Sequence, residues 1–170
     1  MQPTPRPAIA ADAPAIHDLR RSLADWLLDR GVEQWHPDDV PLKDIRAQVA
    51  AGEWFVLTGA DDTIVATVRY LHRDDDVWPG DETPAAYLHG LMVDRSHAGT
   101  DVGGELLRWA ERRAADEGRD HLRLDCVEAN HALRNYYASQ GFREVGRRAF
   151  EDPKWRPVAL FEKPLPQPRT

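Results

Sequence analysis

Between Leu91 and Ala114, the sequence LMVDRSHAGTDVGGELLRWAERRA changes its apolar period in mid-course, which restricts the fold more than any other stretch. Leu91 and Val93 alternate as on one face of a strand, whereas Leu106, Leu107, Ala110 and Ala114 recur at helical spacing. The turn between them, Ala98, Gly99, Thr100, Asp101, Val102, Gly103 and Gly104, holds mostly small side chains. A strand, a glycine-bearing turn and a helix in succession make an α/β unit. The first amides of such a helix have no intrahelical acceptor and stand at the positive end of its dipole, which together suit a phosphate or pyrophosphate. Turns of this kind also serve merely to save space, and spacing alone does not separate the two uses. Asp101 bears on the choice: its carboxylate would compete with a bound phosphate, or would cap the helix by accepting an N–H two or three residues on.

Around this unit the chain reads in order. Residues 1–7 form a tail, and Ala8–Ala11 a short first strand. Ile16, Leu19, Leu23, Trp26 and Leu27 predict an amphipathic helix over Pro14–Asp29, with proline tolerated in its first turn. The segment GVEQWHPDDVP, Gly31–Pro41, is a proline-interrupted loop in which Trp35 can pack down. A second helix over Leu42–Ala51 places Ile45 and Val49 on one face, and strands Trp54–Thr58 and Thr63–Leu71 form a hairpin across Gly-Ala-Asp-Asp. The acidic stretch His72–Pro84, with Asp74, Asp75, Asp76, Asp81 and Glu82, reads as a solvated loop that would also attract a cationic ligand.

Ala85–Val93 is the next strand, with Tyr87, His89, Leu91 and Val93 on one face and Leu88, Gly90 and Met92 on the other. His89 is its polar exception. A further strand covers His121–Val127, Asn130 opens a helix through Ser139, and Phe142–Phe150 with Val158–Glu162 makes a closing hairpin. The chain from Pro164 to Thr170 is a second tail.

A chain of 170 residues suits a single domain, 1–170, with an ordered core over about 8–163. Its net charge of −7 disfavours nucleic acid and anionic membrane as partners. The single cysteine, Cys126, excludes an internal disulfide framework and fits a reducing cytoplasm. Neither a signal peptide nor a membrane span is visible. His36 lacks neighbours at metal-ligand spacing, so no metal is expected.

Two segments carry a family resemblance. The strand ending in Val93 and its turn resemble the acyl-CoA-binding motif of the GCN5-related N-acetyltransferases (GNAT), Arg/Gln-x-x-Gly-x-Gly/Ala, with Ala98 at the Arg/Gln position, Asp101 at the middle glycine and Gly103 at the last. NHALRNYYASQGF, Asn130–Phe142, is similar to the family's Asn-x-x-Ala-x-x-x-Tyr-x-x-x-Gly-Phe segment. The resemblance spans about Ala8–Lys163 and implies the GNAT α/β (α+β) fold: a mixed, mostly antiparallel sheet of six to seven strands flanked by about four helices.

The resemblance also implies a chemistry. Acetyl-CoA would be the acyl donor, its pyrophosphate on the amides from Ala98 to Gly104 and its pantetheine on the backbone of Leu91, Met92 and Val93 and beside Asn130. A primary amine, of a small molecule or a protein, would attack the thioester directly. Tyr137 would protonate the departing thiolate, although it and Tyr136 also read as packing residues. His89, with an unperturbed side-chain pKa of about 6.5, suits a general base, although a lone strand histidine also serves as a hydrogen-bonded wall. Asp125 and Glu128 are second choices whose other duty is ion pairing. The loops 31–41 and 72–84 would read the acceptor, and a homodimer is left open. Against this enzyme stand a noncatalytic acyl-CoA-binding or regulatory module, favoured by the departures at Ala98 and Asp101, and an interaction protein that keeps only the fold.

Overall fold

In the computed structural model, which describes residues 4–167, the strand expected at Ala85–Val93 lies at the centre of a seven-stranded mixed sheet. Its strands are β1 (Arg6–Pro7), β2 (Trp54–Thr58), β3 (Ile64–Leu71), β4 (Ala85–Val93), β5 (His121–Val127), β6 (Arg143–Arg148) and β7 (Val158–Pro164), in the spatial order β1-β2-β3-β4-β5-β7-β6. Four helices accompany them: α1 (Ala13–Asp29), α2 (Leu42–Ala50), α3 (Val102–Asp116) and α4 (His131–Ser139). None of the helices is long and apolar enough to cross a membrane.

The described chain resolves into two compact units, residues 4–70 with 90–109 and residues 71–89 with 110–167. In the first, most of the stripes read from the sequence are buried, whereas Trp26 and Leu27, expected on the α1 stripe, are only half-buried. Ile16, Leu19 and Leu23 of α1 and Ile45 and Val49 of α2 form one cluster with Trp54, Val56 and Met92. Phe55 and Tyr70 pack their rings on Trp109 of α3, with centroids 4.8 and 6.2 Å away. The β2–β3 hairpin is closed by Gly59 N–H on Thr63 O at 2.9 Å.

In the second unit, β5 pairs antiparallel with β7 from His121↔Pro164 to Val127↔Val158, and β6 adds to the other edge of β7. The β4–β5 ladder is parallel and short. It covers Ala85↔His121 to Leu88↔Leu124. Ala110 and Ala114 of α3 are fully buried, as their helical spacing predicts.

Three expectations need correction. The first strand is Arg6–Pro7, inside the expected tail, because these residues pair with Val56 and Phe55; Ala10–Asp12 is instead a 3-10 turn. The closing strand runs to Pro164, and Leu165 is buried with its N–H on Asp120 O at 2.8 Å, so the C-terminal tail starts later than Pro164. The outermost parts of both tails, residues 1–3 and 168–170, lie outside the described residues. The acidic stretch 72–84 is no solvated loop throughout, since Asp74, Val77 and Trp78 are buried.

Gly90 interrupts the extended course of β4. Its φ is +56°, in the left-handed region that a side chain disfavours, and its carbonyl accepts from Thr67 Oγ1 at 2.8 Å. The Trp54 indole lies where a Cβ would be: Cη2 and Cζ3 would both collide with it, the latter at 2.7 Å. Trp54 cannot readily retreat, because it is buried in the α1–α2 cluster and its Nε1 donates to Gln48 Oε1 at 2.9 Å. Gly90→Ala therefore meets both a strained backbone and a filled space, and should lose about 2–4 kcal/mol of stability. Urea unfolding checks this; a loss below about 1 kcal/mol, the size of an ordinary surface change, would show that Trp54 moves aside.

Candidate functional site

His89 precedes Gly90 on β4 and is held between two carboxylates. Its Nε2 lies 2.6 Å from Asp74 Oδ2, a hydrogen bond, and its Nδ1 lies 3.5 Å from Asp125 Oδ1. The three elements involved explain the arrangement: Asp74 comes from the folded-in acidic stretch, His89 from β4 and Asp125 from β5, one residue past the last β4–β5 pair. Asp74 is nearly sealed, with 7% of its side chain exposed, so its charge is supported by the histidine more than by water. Burial pushes the Asp125 carboxyl up from its ordinary value; His89 opposes the shift and Asp74 adds to it. Asp125 Oδ1 is also inaccessible and accepts no hydrogen bond. The contact on Nε2 is the short one and that on Nδ1 the longer.

These residues offer three ligand atoms within 4.8 Å of one another. The 2.6 Å separation of Nε2 and Oδ2 is nevertheless that of atoms sharing a proton. Ligands bound to one ion at about 2.0–2.2 Å in tetrahedral geometry stand more than about 3 Å apart.

The turn after β4 is built to leave amides exposed. Asp94 caps a 3-10 turn over Arg95–His97 by accepting from Ser96 N at 2.9 Å, and Ala98 N and Thr100 N bond back to Arg95 O and His97 O. The amides of Gly99, Asp101, Val102, Gly103 and Gly104 donate to no described residue. Space above Gly99 is open, with nothing within 4 Å of a Cβ placed there. Asp101 stands in the left-handed region at φ +60° and does not cap α3 with its side chain. Its carboxylate instead accepts from Arg108 Nη2 at 2.8 Å, about two helical turns further on, and lies over Gly104, where a Cβ would strike it. The competing charge anticipated at the turn is thus paired with a guanidinium.

On the strand itself, Met92 is buried in the α1–α2 cluster, while Leu91 and Val93 are half-buried. Tyr137 of α4 is buried against Phe142, Phe161 and Tyr136, with ring centroids 5.7–6.0 Å away. Its hydroxyl bonds no described residue, yet it is not among the buried atoms sealed from solvent. Burial raises its pKa, so the phenol keeps its proton at any working pH. Both readings of Tyr137, packing ring and proton donor, are compatible in one residue whose ring is packed and whose tip is reachable.

Asn130 caps α4 by accepting from Leu133 N at 3.1 Å. Cys126 is buried, its thiol pushed up to about 12 by desolvation, and takes no part in chemistry at neutral pH. Glu128 is an exposed ion-pair residue 2.6 Å from Arg147 Nε, which holds its carboxyl below the ordinary range. Asp74 is the contact that the sequence did not single out, because five acidic residues within the same stretch look alike until one of them is buried.

Comparison with known proteins matches this geometry to a family. The acetyltransferase (GNAT) family model matches residues 20–142. A curated relative, the Bacillus subtilis (strain 168) protein called uncharacterized N-acetyltransferase YesJ, is 33% identical over 150 residues, covering 84% of this chain and 83% of its own. Among solved structures, a GNAT-family acetyltransferase from Listeria monocytogenes superposes with a TM-score of 0.77 at 26% identity, over 95% of this chain and 94% of the other. The PaiA N-acetyltransferase of Thermoplasma acidophilum, solved in complex with coenzyme A, shares the fold at 15% identity with a TM-score of 0.72, over 96% and 99% of the two chains. Matched by the family over most of its length and by a relative across both chains, the chain belongs to the acetyltransferase (GNAT) family and is an N-acetyltransferase.

Proposed function

We propose that this enzyme transfers an acetyl group from acetyl-CoA to a primary amine by direct attack of the amine on the thioester. The observation that carries the reading is the placement of His89 between Asp74 and Asp125 on the strand that leads into the open-amide turn. A cosubstrate with a pyrophosphate suits those amides, which carry the positive end of the α3 dipole. The PaiA protein of the same fold is described as holding coenzyme A.

The residues divide the proton traffic. An acceptor amine arrives protonated and must lose one proton before it can attack; a second leaves its nitrogen as the amide forms. The first is lost to water before the attack; His89 Nδ1, oriented by the Asp74 bond on Nε2, takes the second, with Asp125 beside it to hold the resulting positive charge. The amine nitrogen then bonds the thioester carbonyl carbon, and a backbone N–H of Leu91, Met92 or Val93 stabilises the negative oxygen. When the C–S bond breaks, the electron pair leaves on sulfur and Tyr137 donates its proton there; the tyrosinate regains a proton from water, and His89 gives its own up to water, which resets both groups. The amides of Gly99 and Asp101 to Gly104 hold the pyrophosphate, and Asn130 meets the pantetheine arm with the side chain that also caps α4.

Release of free thiol from acetyl-CoA across a panel of primary amines tests the reading directly. Turnover with at least one amine separates an enzyme from a module that only binds acyl-CoA. In that assay Tyr137→Phe should lower kcat about tenfold or more while changing KM little, because the lost group acts on the leaving sulfur. Equal turnover would remove the acid role. His89→Gln should flatten the acidic limb of the pH profile of kcat/KM and lower its plateau about a hundredfold; a profile unchanged in shape would move the base to Asp125 or a water. Asp101→Gly removes a carboxylate from the phosphate end of α3 and relieves a left-handed residue, so acetyl-CoA should bind about two- to fivefold more tightly by calorimetry. Unaltered affinity would mean that Arg108 already cancels the charge.

A further inference from the structure

Arg123 lies in the middle of β5 between the buried Leu122 and Leu124, and is itself only 6% exposed. A guanidinium buried so far is costly unless carboxylates or other acceptors meet it. Here they do. Its Nε donates to Glu162 Oε2 of β7 at 3.1 Å, and its Nη1 donates to Tyr87 Oη of β4 at 3.2 Å and lies 3.0 Å from Asp81 Oδ2. Its Cζ stands 4.4 Å from the centre of the Trp78 ring. Glu162 and Tyr87 belong to the sheet, whereas Asp81 and Trp78 belong to the acidic stretch 72–84. Arg123 therefore fastens that stretch to the sheet.

The stretch needs a fastening, because its five acidic side chains repel one another. Two further ties, Arg148 Nε on Asp76 O at 3.3 Å and His72 Nε2 with Glu117 Oε2 at 3.0 Å, are exposed and compete with water. Pro84 O accepts from Asp120 N at 2.6 Å, but ten residues beyond Asp74. The hold on Trp78 is closer. Trp78 N donates to Asp74 O at 2.9 Å, so whatever fixes the indole also fixes the carboxylate one turn before it.

The strands place both contacts on one face. Tyr87 pairs with Arg123 in the parallel β4–β5 register, and His89 and Asp125 follow them by two residues, which in a strand is the same face. The stretch lies across two successive tiers, with Trp78 and Asp81 against Arg123 and Asp74 against His89. All of these residues belong to the second compact unit.

We infer that Arg123 is a positioning residue for His89: through Trp78 and Asp81 it holds the stretch 72–84 on the sheet and so keeps Asp74 on Nε2 of the histidine. It acts through Asp74 and meets no reacting atom itself. That His89 is the base rests on the acetyl-transfer reading above; the hold on Asp74 does not.

An NMR titration of the His89 ring in the full chain tests this without turnover. The carboxylates facing His89 are Asp74 and Asp125, and those facing Arg123 are Asp81 and Glu162. Asp74→Asn sets the reference, because losing a neighbouring carboxylate moves a histidine midpoint downward. Arg123→Met should move the His89 midpoint the same way, by half of the reference change or more. Removing a positive charge acts upward by itself, so the sign separates loss of Asp74 from plain electrostatics. Arg123→Lys, which keeps the charge but loses the fork and the stacking, should lower the midpoint by less. Added to Asp74→Asn, Arg123→Met should lower it no further. Circular dichroism and thermal unfolding confirm that the variants are folded; should Arg123→Met not fold, Arg123→Lys alone must lower the midpoint. A midpoint unmoved or raised in folded Arg123→Met would overturn the assignment. So would an unmoved midpoint in Asp74→Asn, or a further fall in the double variant, since Arg123 would then act by another route. Thiol release is scored separately: a lowered midpoint that the pH profile of kcat/KM does not follow refutes His89 as the base and leaves the hold, whereas an unmoved midpoint refutes the hold whatever the turnover.

Discussion

The parallel ladder between β4 and β5 stops after Leu88 and Leu124, and much of the chemistry follows from that early stop. Backbone N–H and C=O groups need partners wherever water is excluded. β4 has only β3 and β5 as neighbours in the sheet, so its residues past His89 have no strand to pair with on the β5 side. Gly90 marks the change with a left-handed backbone, and Thr67 and Trp54 hold it there, one through the carbonyl and the other by filling the space of an absent side chain. A strand edge left unpaired is a liability in most proteins. Under the proposed reading, this edge is where an extended cosubstrate arm would supply the missing ladder.

The turn at the end of the same strand shows how a departure from a motif can be accommodated. Asp101 occupies a position where glycine would be conformationally easier, and its charge has the wrong sign for a phosphate site. Arg108, two helical turns on, draws the carboxylate onto the side of α3, and the lack of a side chain at Gly104 gives it room. The amides of Gly99, Asp101, Val102, Gly103 and Gly104 donate to no described residue. Glycine at 104 is therefore there to accept the Asp101 carboxylate as well as to open the turn. Read from the sequence alone, Gly104 and Asp101 were separate features.

Much of the fold was legible because the apolar periods are strong. β2, β4 and β5 fall at the limits read from alternation, and the helices differ by a residue or so at their ends, where frayed turns make limits soft. Periodicity failed where long-range pairing decides. Arg6–Pro7 is too short to show any period and is a strand only because β2 is beside it. Leu165 looked like part of a polar tail until Asp120 O and a buried site received it. Of the site, the turn, Asn130, Tyr137 and His89 stand out by residue type, but their neighbours did not. Asp74 was one acid among many. Arg123 was visible in principle, as a charge in the middle of β5 between Leu122 and Leu124, yet a strand is read from its apolar members and the exception is easily passed over.

That exception and the His89 group have the same physical logic. A buried charge persists when it is paired. The Arg123 guanidinium is met by Asp81 and Glu162, and the Asp74 carboxylate by His89. Asp74 is bonded to Nε2, and Asp125, whose carboxyl is pushed up by burial, lies beside Nδ1. Under the proposed reading, a proton taken at Nδ1 would place a cation between the two carboxylates. That state is stabilised most where water is least able to compete, and Asp74 and Asp125 are both largely withdrawn from it.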